Sequence, residues 1–180
     1  MSGLIQRASR FALTAHQSID QRRKYSNEPY IVHPRAVARL VSTVTDDQAM
    51  ISAAWLHDVV EDTPVTIGEI ESEFGADVAA LVDDLTDVSC RSDGNRSSRL
   101  AKDRQHTSAA SPRAKTVKLA DVIDNLGGVV EADLDFARKF VREREALIGV
   151  LGEGDPTLLA MAIETIEECH RKIANRNSVS

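Results

Sequence analysis

Ala54-Trp55-Leu56-His57-Asp58-Val59-Val60-Glu61-Asp62-Thr63 is the stretch on which both fold and chemistry turn. It belongs to an apolar run from Met50 to Val60 into which an imidazole and a carboxylate have been set, and such groups need partners to be tolerated there. At ~100° per residue, His57, Asp58, Glu61 and Asp62 are predicted to share one face of a single helix that stops near Thr63-Pro64. Two further donors stand in comparable settings. His33 precedes Pro34 at the predicted start of a helix carrying Val37, Leu40, Val41 and Val44, with the proline at its first position. Asp121 lies in the apolar Lys115 to Leu126 segment, with Lys118 one turn before it and Asn125 one turn after. Two imidazoles and two carboxylates make a mixed nitrogen and oxygen set that suits a divalent ion such as Mn²⁺. Taken singly, each has a plain structural explanation, a buried histidine bonded to a capping Asp58 or an ion pair between Asp121 and Lys118.

Working outward, the apolar spacing is helical nearly everywhere, so the chain is expected to be all-α. Ile5, Ala8, Ala12, Ala15 and Ile19 recur at three and four residues. Thr66 to Glu69 reads as a capping box, Gly75 as the stop of the short helix it opens, and Asp77 to Leu85 as the next helix. Leu134, Ala137, Val141, Leu147 and Leu151 mark a longer helix, and Asp155-Pro156 opens a final one to about His170, with fraying expected after Ala174. Ser89 to Ser111 is rich in Ser, Arg, Asp, Gly and Asn and reads as a loop or irregular helix. Tyr25 to Tyr30 reads as a turn or small hairpin.

Composition narrows the possibilities. A chain of 180 residues with 42% apolar content fits one domain with a real core, assigned here to residues 1–180. A net charge of −6 argues against a general nucleic-acid binder. The cysteines, Cys90 and Cys169, suggest neither a disulfide framework nor a thiolate zinc site. No run of ~18 apolar residues and no hydrophobic leader is seen, so no membrane association is expected and a soluble cytoplasmic protein is. His16, His106 and His170 lack ligand-like neighbours and are read as surface or capping residues. No Gly-x-Ser-x-Gly elbow and no Gly-rich phosphate loop occurs.

The joint pattern of Tyr30-Ile-Val-His33-Pro34, Ala54 to Thr63, and Val117-Lys-Leu-Ala-Asp121-Val-Ile-Asp-Asn125-Leu126 resembles the metal-dependent HD-domain hydrolases. Within them it is most similar to the small alarmone hydrolases among the RelA/SpoT homologues, from about His16 to Leu126. That resemblance implies a compact helical bundle, a metal-site core at about 16–126 and closing helices at about 131–172. It further implies Mn²⁺ held by His33, His57, Asp58 and Asp121, and Glu61 and Asp62 as the carboxylates that orient or deprotonate the attacking water. Arg23 and Lys24 would flank the purine base, and Lys118 and Asn125 would face phosphate and ribose. The implied reaction is hydrolysis of (p)ppGpp to GDP or GTP and pyrophosphate, with no synthetase region following. The chain departs from the family at His16 to Arg22, which is about two residues longer, and at Gly127-Gly128, where an arginine is common. Ser89 to Ser111 aligns only through Arg99 and Ser111. Two rivals remain: another HD-type phosphohydrolase, such as an NADPH 2′-phosphatase or 5′-nucleotidase, and a nucleotide sensor without turnover. The sequence leaves open whether copies of the chain associate.

Overall fold

The computed structural model describes residues 3–177, which fold as helices joined by short connections. In chain order these are α1 Leu4–Ser18, α2 Val32–Val41, α3 Gln48–Leu56, α4 Val59–Asp62, α5 Ile67–Phe74 and α6 Ala76–Leu85. After a 3₁₀ turn at Arg91–Asp93 follow α7 Arg96–Ala109, α8 Pro112–Leu126, α9 Val129–Ala132, α10 Leu134–Ile148 and α11 Pro156–Asn177. Among the described residues there is no β-strand, only an antiparallel bridge between Arg22 and Pro29. It closes the tight turn expected at Tyr25 to Tyr30, and Asn27 takes the left-handed conformation there, at φ 56°.

Helix α8 forms the axis. Nearly every residue from Ala114 to Val122 is buried, whichever way it points, as expected of a helix packed on all sides. Helices α2, α6 and α11 pack against it, while α3 lies between α1, α2 and α6. Charged side chains on α8 therefore sit inside the molecule and need partners. Lys115 meets Glu153, and Lys118 and Asp121 meet each other. Gly154 lets the loop before α11 come close to α8, since a Cβ there would lie 2.8 Å from Leu119 Cδ1.

The sequence expectations hold for the Thr66–Glu69 capping box, Gly75 at φ 87°, α6 and the start of α11, and for α2 and α10 except at their ends, since Val44 and Leu151 lie three residues past them. Others need correction. Pro34 is the third residue of α2 rather than the first, still within the turn that lacks amide partners. Ile19 lies past the end of α1 and is 44% exposed. Ser111 caps α8 and Pro112 begins it, three residues before the expected start. Helix α11 runs past His170 to Asn177, so the fraying expected after Ala174 is not seen up to that point; residues 178–180 lie outside the described residues.

The largest correction is at residues 96–109, which form a regular 14-residue helix. Its periodicity is masked because only Asp103 and Thr107 are buried along it. Polar bonds hold it instead: Asn95 Oδ1 accepts from Ser98 N at 3.0 Å, and Asp103 accepts from Val88 N, Ser89 N and Ser89 Oγ.

Among the described residues no helix is long and apolar enough to cross a membrane.

Candidate metal centre

The His57-Asp58 pair does not sit on the face of a continuous helix, as the sequence suggests, but in a break between α3 and α4. In an unbroken helix the Ala54 carbonyl would accept from the Asp58 amide. Here His57 Nδ1 takes that carbonyl, at 2.9 Å, and Asp58 turns away with φ −99° and ψ −4°. The break aims the His57 ring and the Asp58 carboxylate inward together, while Glu61 and Asp62 on α4 reach the rim.

From α2 and α8 the other two donors converge on the same point. His33 Nε2 lies 3.2 Å from His57 Nε2, 3.2 Å from Asp121 Oδ1 and 3.4 Å from Asp58 Oδ2. His57 Nε2 lies 3.0 Å from Asp58 Oδ2 and 3.7 Å from Asp121 Oδ1. Ligands ~2.1 Å from one ion stand ~3.0–3.4 Å apart at octahedral or tetrahedral angles, so this spacing fits a single divalent cation. The donor chemistry fits as well. His33 Nδ1 donates to Asp124 Oδ2 at 2.6 Å and His57 Nδ1 to the Ala54 carbonyl, so each ring turns its Nε2 to the same space, where it would offer a lone pair once an ion displaced its proton. His33, His57 and Asp58 alone already form a cluster with metal-ligand spacing.

The electrostatics agree. Burial works against a charged His33, but hydrogen bonds to Asp121, Asp124 and Asp58 outweigh it and raise the ring to about 11. His57 is raised to about 9, burial again being overcome by the charge of Asp58 and bonds to Asp121 and Asp58. Asp121 is held well below the usual carboxylate range against its own burial, chiefly by Lys118 and the two imidazoles. The four groups are thus arranged to hold positive charge between them. Tyr30 Oη donates at 2.6 Å to Asp58 Oδ2, the same oxygen that faces both imidazoles, and so helps to fix that carboxylate.

On the rim, burial and then the charges of Asp87 and Asp58 push Glu61 up to about 7. Asp62 accepts from Gln21 Nε2 at 2.8 Å, and Gln21 Oε1 in turn accepts from His16 Nδ1 at 2.6 Å. His16 is therefore not the surface residue expected; it is 2% exposed and packs against the Tyr30 ring. His106 and His170 stay at the surface, bonding the Asp83 carbonyl and Glu145.

Two cavities flank the centre. One, of about 780 Å³, is bounded by Asp58, Glu61, Asp62, Lys118 and Asp121 on one side and by α7 and α10 on the other. The second, of about 710 Å³, is lined by Arg23, Lys24, Tyr25, His33, Phe136 and Phe140. Asn125 belongs to both. Its amide donates to Asp121 at 2.5 Å and its carbonyl accepts from Arg23 at 3.3 Å. Lys24 sits over the rings of Tyr25 and Phe136, 4.8 and 4.5 Å from their centres, which leaves a flat cationic and aromatic lining.

Of the ten residues singled out in the sequence, His33, His57, Asp58 and Asp121 converge on one point, and the other six line the two cavities that flank it. Those that went unnoticed are Asp124, Tyr30 and Gln21, which orient His33, Asp58 and Asp62. Asp124 carries a faint signal, one turn after Asp121 on a buried helix, and Tyr30 stands in the motif that ends at His33-Pro34 though its partner Asp58 is 28 residues away; Gln21, 41 residues from Asp62, carries none.

The HD domain family profile matches residues 8–147. A probable guanosine-3′,5′-bis(diphosphate) 3′-pyrophosphohydrolase from Synechocystis sp. is 37% identical over 151 residues, 82% of this chain, which spans only 20% of that relative. The guanosine-3′,5′-bis(diphosphate) 3′-pyrophosphohydrolase MESH1 of Xenopus tropicalis is 41% identical over 128 residues, 69% of each chain. The solved structure of a metazoan ortholog of SpoT that hydrolyzes ppGpp superposes with a TM-score of 0.83 at 27% identity, covering 93% of this chain and 96% of its own.

Proposed function

The chain belongs to the HD-domain family and, within it, to the group that contains the MESH1 hydrolases, and from that premise we propose that it is a Mn²⁺-dependent 3′-pyrophosphohydrolase of (p)ppGpp. The observation that carries this reading is the pair of buried Nε2 atoms facing two carboxylates beside a raised Glu61. His33, His57, Asp58 and Asp121 hold the ion. When bound it supplies Lewis acidity toward water and offsets phosphoryl charge.

The protein's own residues do the rest. Lys24 and Arg23 take the purine in the aromatic cavity, where a guanidinium plane or an ammonium meets a flat ring. Asn125, between the two cavities, takes the ribose, and Lys118 faces the phosphoryl oxygens. Water attacks the 3′-linked phosphorus: its oxygen forms the new P–O bond, its proton passes to Glu61, and the bond from phosphorus to the ribose 3′-oxygen breaks. The 3′-oxygen leaves as a hydroxyl on taking up a proton, giving GDP or GTP and pyrophosphate. A carboxyl near 7 is a stronger base than an ordinary one, which suits Glu61 to this proton transfer. Asp62, steadied by Gln21, orients the water.

We further infer that the chain works as one domain in the cytoplasm, where its free thiols Cys90 and Cys169 stay reduced.

The test is turnover of ppGpp by purified protein with Mn²⁺, with a chelator control and products resolved by ion exchange. Pyrophosphate release is the expected result. Orthophosphate would instead assign the protein to the phosphomonoesterases, and binding without product would make it a sensor.

A further inference from the structure

The wall of the larger cavity opposite the candidate metal ligands carries cations that the chemistry above leaves unused. Other basic groups lining this cavity are engaged: Lys118 with Asp121, Arg138 with Asp135, and Arg144 over the Phe140 ring. Arg104 on α7 and Lys139 and Arg142 on α10 line the same cavity and form no hydrogen bond or ion pair among the described residues. Chains of net charge −6 have acids to spare, so unpaired cations arriving from two helices at one cavity do not follow from overall composition. Nor are the helices free to splay. Arg96 on α7 grips Glu143 on α10 through two bonds of 2.9 and 2.7 Å, which ties the two helices together.

We propose that Arg104 and Arg142, aided by Lys139, form a subsite for the outer phosphate of the pyrophosphoryl group that leaves with the cleaved phosphorus. This rests on the hydrolase reading. With the nucleoside in the aromatic cavity and Asn125 at the ribose, the cleaved phosphorus lies at the four candidate ligands. Its outer phosphate then extends into the larger cavity, toward a wall able to offer two guanidinium forks. Such forks match phosphate oxygens pairwise, and in a walled cleft their field is focused on an anion. The subsite would favour a pyrophosphoryl over a monophosphoryl substrate.

The experiment uses inorganic pyrophosphate as probe, measured by calorimetry with metal-loaded protein, alongside kinetics on ppGpp and on guanosine 5′-diphosphate 3′-monophosphate. In the double variant Arg104→Ala/Arg142→Ala, pyrophosphate affinity should fall ~10-fold or more, as expected for losing charged contacts. KM for ppGpp should rise by a similar factor with kcat little changed, while KM for the 3′-monophosphate stays put. Arg104→Lys/Arg142→Lys should recover part of the affinity, and unchanged circular dichroism shows that folding is intact. Unaltered pyrophosphate binding would overturn the proposal, as would an equal rise in KM for both nucleotides, which would assign these arginines to the 5′-phosphates. If the wild type bound pyrophosphate through these arginines yet hydrolysed no ppGpp, the subsite would stand and the hydrolase reading would fall.

Discussion

Glu61 and Asp124 carry the sharpest expectations about single side chains. Replacing Glu61 by Gln removes the proton acceptor but no candidate ligand, so the variant should keep its metal while turnover drops ~10²-fold or more. In the wild type, turnover should climb with pH along an acid limb, because the base must be ionised. Glu61 stands at about 7, and a bound cation can only lower it, so the limb belongs at or below that pH. The residual activity of Glu61→Gln should lack it; a rate profile unchanged in shape would show that another group is titrating. Asp124 is not one of the four candidate ligands; it pairs with Arg23 at 3.4 Å and holds the Nδ1 proton of His33. Asp124→Asn should weaken divalent-ion affinity ~10–100-fold, read by titration calorimetry, and an unaltered affinity would remove Asp124 from the centre. The candidate donors could be read from the sequence because they interrupt apolar runs. Asp124, Tyr30 and Gln21 could not, since their importance comes from bonds to partners that only folding brings near.

Among the elements, two were hidden in the sequence for different reasons. The break between α3 and α4 contains no Gly or Pro; it arises because the His57 side chain competes for a backbone carbonyl, which no propensity scale registers. Helix α7 lacks an apolar stripe, so its existence depends on capping and on one buried carboxylate. Asp103 alone satisfies the amides of Val88 and Ser89 and the Ser89 hydroxyl, tying α7 to the segment after α6. Asp103→Ala should therefore cost about 1–3 kcal/mol in denaturant unfolding and speed hydrogen exchange at the Val88 and Ser89 amides. Equal stability and protection would mean that packing, not this carboxylate, holds the helix. By contrast, α5 was legible to its ends, because the Thr66–Glu69 box and Gly75 are local signals that tertiary contacts do not override.

For the molecule as a whole, stability, metal and pH are linked. His33 and His57 have folded-state pKa values raised from 6.5 to about 11 and 9, so their contribution is fully present below pH 6.5 and is lost as pH rises through 9 and beyond. Metal-free protein should accordingly melt at lower temperature at pH 9 than at pH 6.5. A divalent ion needs neutral imidazoles, so the increase in Tm it brings should be larger at pH 9. A metal-induced increase independent of pH would mean that the ion binds elsewhere. The all-α bundle itself was plain in the sequence from its recurring three- and four-residue spacing, whereas the cavity between α7, α10 and the metal centre was not, being made of surfaces remote in sequence. Everything proposed for function depends on one cation at one place. The most direct measurement is anomalous diffraction at the manganese edge from crystals of the protein grown with Mn²⁺. The account predicts a single strong peak within coordination distance of His33 Nε2, His57 Nε2 and a carboxylate oxygen each of Asp58 and Asp121; a peak elsewhere, or none at these four side chains, would contradict it.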